Sequence, residues 1–252
     1  MAEVVLSVLA HPDDAEFLCA GTLIRLSREH QWQVHIASMT PGDCGSAELP
    51  AEEISRIRRA EGAKAAALMG ATYHCLEERD LLISYTPPTL QKVVHLLRRV
   101  RPRVVLTHSP GDYMVDHEMT SLVTRAACFA APIPNFFPDK DLPPLGEVPH
   151  LYYCDPVEGK DIFGKNVAPA FCIDISGVLD LKTEMLAAHA SQRDWLLRHH
   201  KMDKYLEAMR HWSAERGKLI GTAAAEGFRQ HLGHGYPQEN LLRDLLRGVP
   251  VS

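Results

Sequence analysis

Two hydrophobic rhythms alternate along the first half of this chain. Short, mostly apolar runs, of the kind that a parallel strand buried on both faces requires, occupy 4–10 and 104–108, and a more alternating run occupies 32–39. A brief fourth run covers 72–76. Between them, apolar positions recur at helical spacing: Phe17, Leu18, Leu23, Ile24 and Leu26 predict a helix over 15–30, and further helices are expected over 51–69, 89–101 and about 117–131. Gly70 stands where a helix C-cap belongs and Pro102 ends the third helix. Thr40-Pro41-Gly42-Asp43 signals a turn that opens a long loop to Pro50.

Four strand-to-helix alternations predict an α/β fold: a Rossmann-like, mostly parallel sheet with helices on both faces. Six prolines between 132 and 149 mark a surface excursion, read either as a lid or as a contact between copies through Phe136 and Phe137. Further strands are expected at 150–155 and 169–175, and amphipathic helices at 178–198 and 199–216, packed on the same body. No repeat or low-complexity linker divides the chain, so residues 1–252 are expected to form a single domain.

Composition narrows the function classes. In 252 residues, 46% hydrophobic and 23% charged, disorder and fibrous repeats are excluded, and roughly three-quarters of the unfolded surface is buried on folding. A net charge of -5 argues against a nucleic-acid partner. No apolar run approaches the roughly 20 residues that span a bilayer, so no membrane insertion is expected and a cytoplasmic location is. The six cysteines are scattered, mostly inside apolar segments, without a CxxC pair, which favours reduced core thiols over disulfides or a Cys-rich zinc site.

In a doubly wound sheet, ligands sit beyond the carboxyl ends of the first and fourth strands. After the first comes His11-Pro12-Asp13-Asp14, and after the fourth comes a loop holding His108, Asp112, Tyr113, Asp116 and His117. Neither offers the glycine-rich turn of a dinucleotide or phosphate cradle. Two imidazoles and one carboxylate are a usual set for a catalytic divalent metal, and we assign His11, Asp14 and His117. Such a metal acidifies water and polarises a carbonyl; adjacent Asp13 is the candidate general base, with Pro12 fixing the turn. Taken singly, Asp13 and Asp14 read as helix N-caps and His117 as a surface residue; only the pair of clusters points to a metal.

These residues resemble the LmbE-like, or PIG-L, N-acetylglucosaminyl deacetylases. The resemblance rests on Ala10 to Asp14 followed by Ala20-Gly21-Thr22, and on Asp112-Tyr113 before Asp116-His117. Weaker echoes are Thr40 to Asp43 with Gly45-Ser46, Arg58 and Glu61 leading to Gly70, Asp80, Lys182, His189 to Gln192, and Glu226 to Arg229. It implies a Zn²⁺ hydrolase that removes acetyl from the 2-amino group of a glucosamine unit, with ligands His11, Asp14 and His117, base Asp13 and a homo-oligomeric assembly. One position departs: where family members often carry a histidine that helps the oxyanion or the leaving amine, this chain has Met114, whose thioether donates no useful hydrogen bond.

Tyr113, His108, Arg58 and His189 are the candidates to replace that histidine. Arg58 reads equally as a helix-surface charge or as a guanidinium in the cleft, and His189 as a partly buried helix residue. Asp112 and Asp116 are candidate braces for the ligands, Asp116 alternatively capping the next helix. Asp43 and Asp80 are expected at the rim. Fe²⁺, Co²⁺ and Mn²⁺ accept the same donors as zinc. A second reading keeps the metal and hydrates an unsaturated carboxylic acid; a third, an iron facial triad spelled by His11-x-Asp13, is at odds with the helical periodicity. A purely binding domain requires that the site hold no metal.

Overall fold

The structure, a computed structural model, describes residues 2–192 and 205–251. The strands are β1 (Val4–Leu9), β2 (Gln33–Ser38), β3 (Thr72–Cys75), β4 (Val104–Thr107), β5 (His150–Cys154), β6 (Phe171–Asp174), β7 (Ala225–Gln230) and β8 (Val249–Pro250). The helices are α1 (Asp14–Leu18), α2 (Ala20–His30), α3 (Ala51–Ala67), α4 (Pro87–Val100), α5 (Val115–Ala130), α6 (Leu179–Ala187), α7 (Tyr205–Ile220) and α8 (Leu241–Leu246). Among the described residues the strands form one sheet in the order β3-β2-β1-β4-β5-β7-β6-β8. The first five are parallel; β7 runs antiparallel to β5 and β6, and β6 antiparallel to β8.

Alternate residues of the central strands supply two separate cores, which is why those strands read as continuous apolar runs. Val5, Leu9, Val104 and Leu106 pack on one face with Leu23 and Ile24 of α2 and Ala65 of α3. Leu6, Val8 and Val105 pack on the other with Val93 and Leu97 of α4 and Val123 of α5. The expected α/β class and the expected first five strands are therefore present.

Three local expectations are corrected. The helix over 15–30 is broken at Cys19 (φ -148), because the Glu226 carboxylate accepts the N–H groups of Gly21 (2.8 Å) and Thr22 (2.7 Å) and so starts a new helix there. Lys182 Nζ neutralises that carboxylate at 2.7 Å. Strand β7, absent from the sequence reading, lies between β5 and β6; its Glu226, Gly227 and Arg229 hide the apolar signal that strands usually carry. Helix α8 and strand β8 were likewise not foreseen.

The expected helices 178–198 and 199–216 are seen as α6 and as α7, which runs on to Ile220; 193–204 lie outside the described residues. The proline-rich excursion is tied down by Arg98, fully buried, which donates to the carbonyls of Ala131 (3.0 Å), Ile133 (2.8 Å), Phe136 (2.8 Å) and Phe137 (2.7 Å). All six cysteines are free, and Cys44 is exposed, not a core thiol. No helix among the described residues is long and apolar enough to cross a membrane.

Candidate active site

Strands β1 and β4 are neighbours in register from Val5–Val104 to Val8–Thr107, so the loops that follow them emerge side by side at the carboxyl edge of the sheet. There His11 Nδ1 lies 3.4 Å from Asp14 Oδ2, and Asp14 Oδ1 lies 3.6 Å from His117 Nε2. Two ligands of a tetrahedral ion bound at about 2.0–2.1 Å stand about 3.4 Å apart, which matches these separations.

The imidazoles are braced from behind. His117 Nδ1 donates to Asp112 Oδ1 (3.1 Å) and His11 Nε2 donates to Asp116 Oδ2 (3.1 Å), tautomers assigned from their acceptors. Each ring thus turns its second nitrogen to the Asp14 side, bare in the neutral tautomer that a metal ligand needs. Asp14 Oδ2 also accepts the His11 N–H at 2.7 Å, and Asp116 Oδ2 that of Leu81 at 2.7 Å. His108, fully buried, accepts the Ala10 N–H (2.9 Å) and stacks on His117 at 3.9 Å between ring centroids.

The electrostatics call for a cation. Burial disfavours a charge on His11, yet the Asp116 and Asp14 carboxylates outweigh it and lift the imidazole to about 10. Burial works against the Asp14 carboxylate too, but His117 and His108 hold it well below the usual range. The buried Asp80 Oδ1 and Asp116 Oδ1 have no hydrogen-bond partner. Donor type, spacing, tautomers and excess carboxylate all fit a divalent metal held by His11, Asp14 and His117.

Asp13 stands beside them in a left-handed conformation (φ 105) and makes no side-chain cap of α1, contrary to the capping expectation. An aspartate held there costs about 1–3 kcal/mol of strain, which the surroundings offset. Arg58 Nη2 donates to Pro12 O (2.6 Å) and lies 3.5 Å from Asp13 Oδ1, while the Tyr205 hydroxyl donates to Asp13 Oδ2 (2.6 Å). Burial pushes the Asp13 carboxyl above its ordinary value and Arg58 opposes the rise.

A cavity of about 460 Å³ opens over this cluster, lined by His11, Asp13, Asp14 and His117 and also by Arg58, Asp80, Tyr113, Met114 and Tyr205. Arg58 is buried, not a surface charge. Asp43 stands outside the lining, where it accepts from the Asp80 N–H (2.8 Å) and from Arg79 Nε (2.9 Å) and so fixes the loop carrying Asp80. His108, Asp112 and Asp116 lie behind His11, Asp14 and His117 and outside the lining. His189 is also outside it, its Nε2 3.5 Å from Glu16 Oε2 in the core. Asp116 accepts from Leu81 and His11 and does not cap α5. No residue of 132–149 lines this cavity. Tyr205 and Leu81 were not singled out from sequence: neither sits in a motif, and each meets the site through packing of distant segments.

Residues 6–128 match the family model PIG-L, described as GlcNAc-PI de-N-acetylase. The chain is 26% identical over 234 residues to diacetylchitobiose deacetylase of Thermococcus kodakarensis, covering 89% of this chain and 82% of that protein. It is also 26% identical over 195 residues to 4-oxalmesaconate hydratase of Pseudomonas putida, covering 74% and 73%. Among solved structures, N,N'-diacetylchitobiose deacetylase from Pyrococcus horikoshii superposes with a TM-score of 0.78 at 25% identity, covering 95% of this chain and 89% of that one. The family resemblance carried by the two loop motifs is thereby borne out.

Proposed function

We infer that this PIG-L-like (LmbE-like) chain is a divalent-metal-dependent hydrolase that removes acetyl from the 2-amino group of an N-acetylglucosamine-type sugar. The observation that carries the reading is the convergence of His11, Asp14 and His117 on one point, with the non-ligand carboxylate Asp13 facing the same cavity. Zn²⁺ is the metal we assign, since these N and O donors suit it; when bound, it supplies Lewis acidity and lowers the pKa of water.

The chain's own residues supply the rest. Asp13 Oδ1, the oxygen not engaged by Tyr205, takes the proton of the attacking water and returns it to the amine nitrogen as the C–N bond breaks. Tyr205 and Arg58 hold that carboxylate and its turn in place. Asp112 and Asp116 fix the ligand rings. Of the four side chains weighed as replacements for the histidine absent at Met114, Tyr113 is the one that lines the cavity without a bond to Pro12 or burial behind the ligands, and we assign the oxyanion to it.

A hydratase acting on an unsaturated carboxylic acid is the alternative, kept by the likeness to 4-oxalmesaconate hydratase; the metal or Arg58 would take its carboxylate, so product analysis separates the two. The test is acetate release from N-acetylglucosamine glycosides by protein stripped with a chelator and reloaded with zinc, with Asp13→Asn beside wild type. Loss on stripping, recovery with zinc, and an inactive Asp13→Asn that still binds metal support the reading. Acetate release indifferent to metal, or turnover of unsaturated acids alone, overturns it.

A further inference from the structure

Two loops at the open end of the cavity carry exposed apolar side chains. Leu81 and Leu82 follow β3, and Tyr113 and Val115 flank Met114 at the start of α5; their exposures run from 62% for Leu82 to 65% for Tyr113. Scattered exposed leucines are ordinary, but Leu81 and Met114 line the cavity beside the His/Asp cluster, and an apolar wall there asks for an occupant. The loops are pinned together, because the Leu81 N–H donates 2.7 Å to Asp116 Oδ2, the carboxylate that also braces His11. Leu81 has a φ of 64, the left-handed region that leucine rarely adopts. The turn closed by the Leu82 N–H on Arg79 O (3.1 Å) sets that backbone and leaves the side chain exposed at the mouth of the cavity.

The same character continues inward through Phe17, Met114 and Val157. A second sugar against Leu81, Met114, Phe17 and Val157 would set hydroxyl groups against side chains that donate no hydrogen bond. An anionic substituent would meet, among the described lining residues, only Arg58, which is engaged by Pro12 O.

We propose that the rim formed by Leu81 and Met114, continued inward by Phe17 and Val157, is a subsite for an apolar aglycone, so that the substrate is an N-acetylglucosaminide whose C1 substituent is alkyl or aryl. The proposal rests on the deacetylase reading and adds the substituent that the cleft selects. Acetate release from the hexyl, phenyl and methyl N-acetylglucosaminides and from N,N'-diacetylchitobiose tests it on the metal-loaded protein. The hexyl and phenyl compounds are expected to exceed the other two in kcat/KM by about tenfold or more.

Calorimetric binding of the corresponding deacetylated hexyl and methyl glycosides reads the same preference without turnover. A protein that prefers the hexyl binder yet releases no acetate overturns the deacetylase reading and supports the subsite. An enzyme that prefers chitobiose, or treats hexyl and methyl alike, overturns the subsite and leaves the deacetylase reading standing. In Leu81→Asn, a residue that tolerates left-handed backbone, the hexyl-to-methyl ratio is expected to fall close to one. An unchanged ratio overturns the proposal, and a lowered sedimenting mass with it identifies a second copy of the chain as what covers the rim.

Discussion

The Tyr205 hydroxyl donates a 2.6 Å hydrogen bond to Asp13 Oδ2, across 192 residues of chain. Tyr205 is buried and Asp13 half-buried where both line the cavity, and burial together with the Asp13 charge keeps the phenol well above its ordinary pKa, so it remains a donor. The bond selects one rotamer of a carboxylate whose backbone is already strained. Tyr205→Phe is therefore expected to lower kcat roughly ten- to a hundredfold, the worth of a hydrogen bond to a charged group, with KM and bound metal nearly unchanged. Steady-state kinetics with metal analysis check this. An unaltered kcat would show that the tyrosine only fills space.

Asp112 would act on a bound metal through His117. By accepting from Nδ1 it leaves Nε2 bare toward Asp14, so losing it frees the ring to rotate and to take the wrong tautomer. Asp112→Ala is expected to raise the zinc dissociation constant about 10- to 100-fold, read by competition with a chromophoric chelator. Circular dichroism of the variant separates this from unfolding.

How much of this site was legible in the sequence follows from how each residue gets there. His11, Asp13 and Asp14 sit directly after an apolar run that is buried on both faces, and His117 sits after another; the switch point between β1 and β4 then brings them together by topology alone. Asp112 and Asp116 were within reach because they lie within five residues of His117. Tyr205 and Leu81 were not, because their positions depend on how α7 and the loop after β3 pack, and no local spacing encodes that. Strand β7 was hidden for a related reason. Its residues are polar because Glu226 serves α2 and Arg229 donates to Ser109 Oγ at 2.7 Å, and those partners are visible only once the chain is folded.

That service makes Lys182 and Glu226 a stability element. The two are 1–2% exposed, and the carboxylate holds the amides of Gly21 and Thr22 at the start of α2. Removing the ammonium alone leaves a buried, uncompensated charge, so Lys182→Met is expected to cost about 3–5 kcal/mol in urea unfolding. Adding Glu226→Gln removes the charge while keeping an acceptor for one amide, and the double variant is expected to recover part of the loss. Equal losses in single and double variants would assign the whole effect to the ammonium's other contacts, at Phe17 O and Ser213 Oγ.

A pH-dependent loss of stability is expected from the opposite edge of the sheet. His35 on β2 and His74 on β3 stack with ring centroids 5.2 Å apart, with Nδ1 of the first 2.9 Å from Nε2 of the second. Burial, then His35 and Arg99, push His74 down to about 4, and burial lowers His35 as well. An unfolded chain takes up these protons near pH 6.5, whereas the folded pair resists until the pH is well below that. Between about 6.5 and 4 the unfolded state thus binds more protons, and stability rises with pH. The pair's contribution is complete above about pH 6.5 and is lost as the pH falls toward 4. Urea midpoints at pH 7 and pH 5 are expected to differ more in wild type than in His74→Gln, whose amide does not titrate. Equal differences in the two proteins would place the acid sensitivity among the carboxylates instead of this pair.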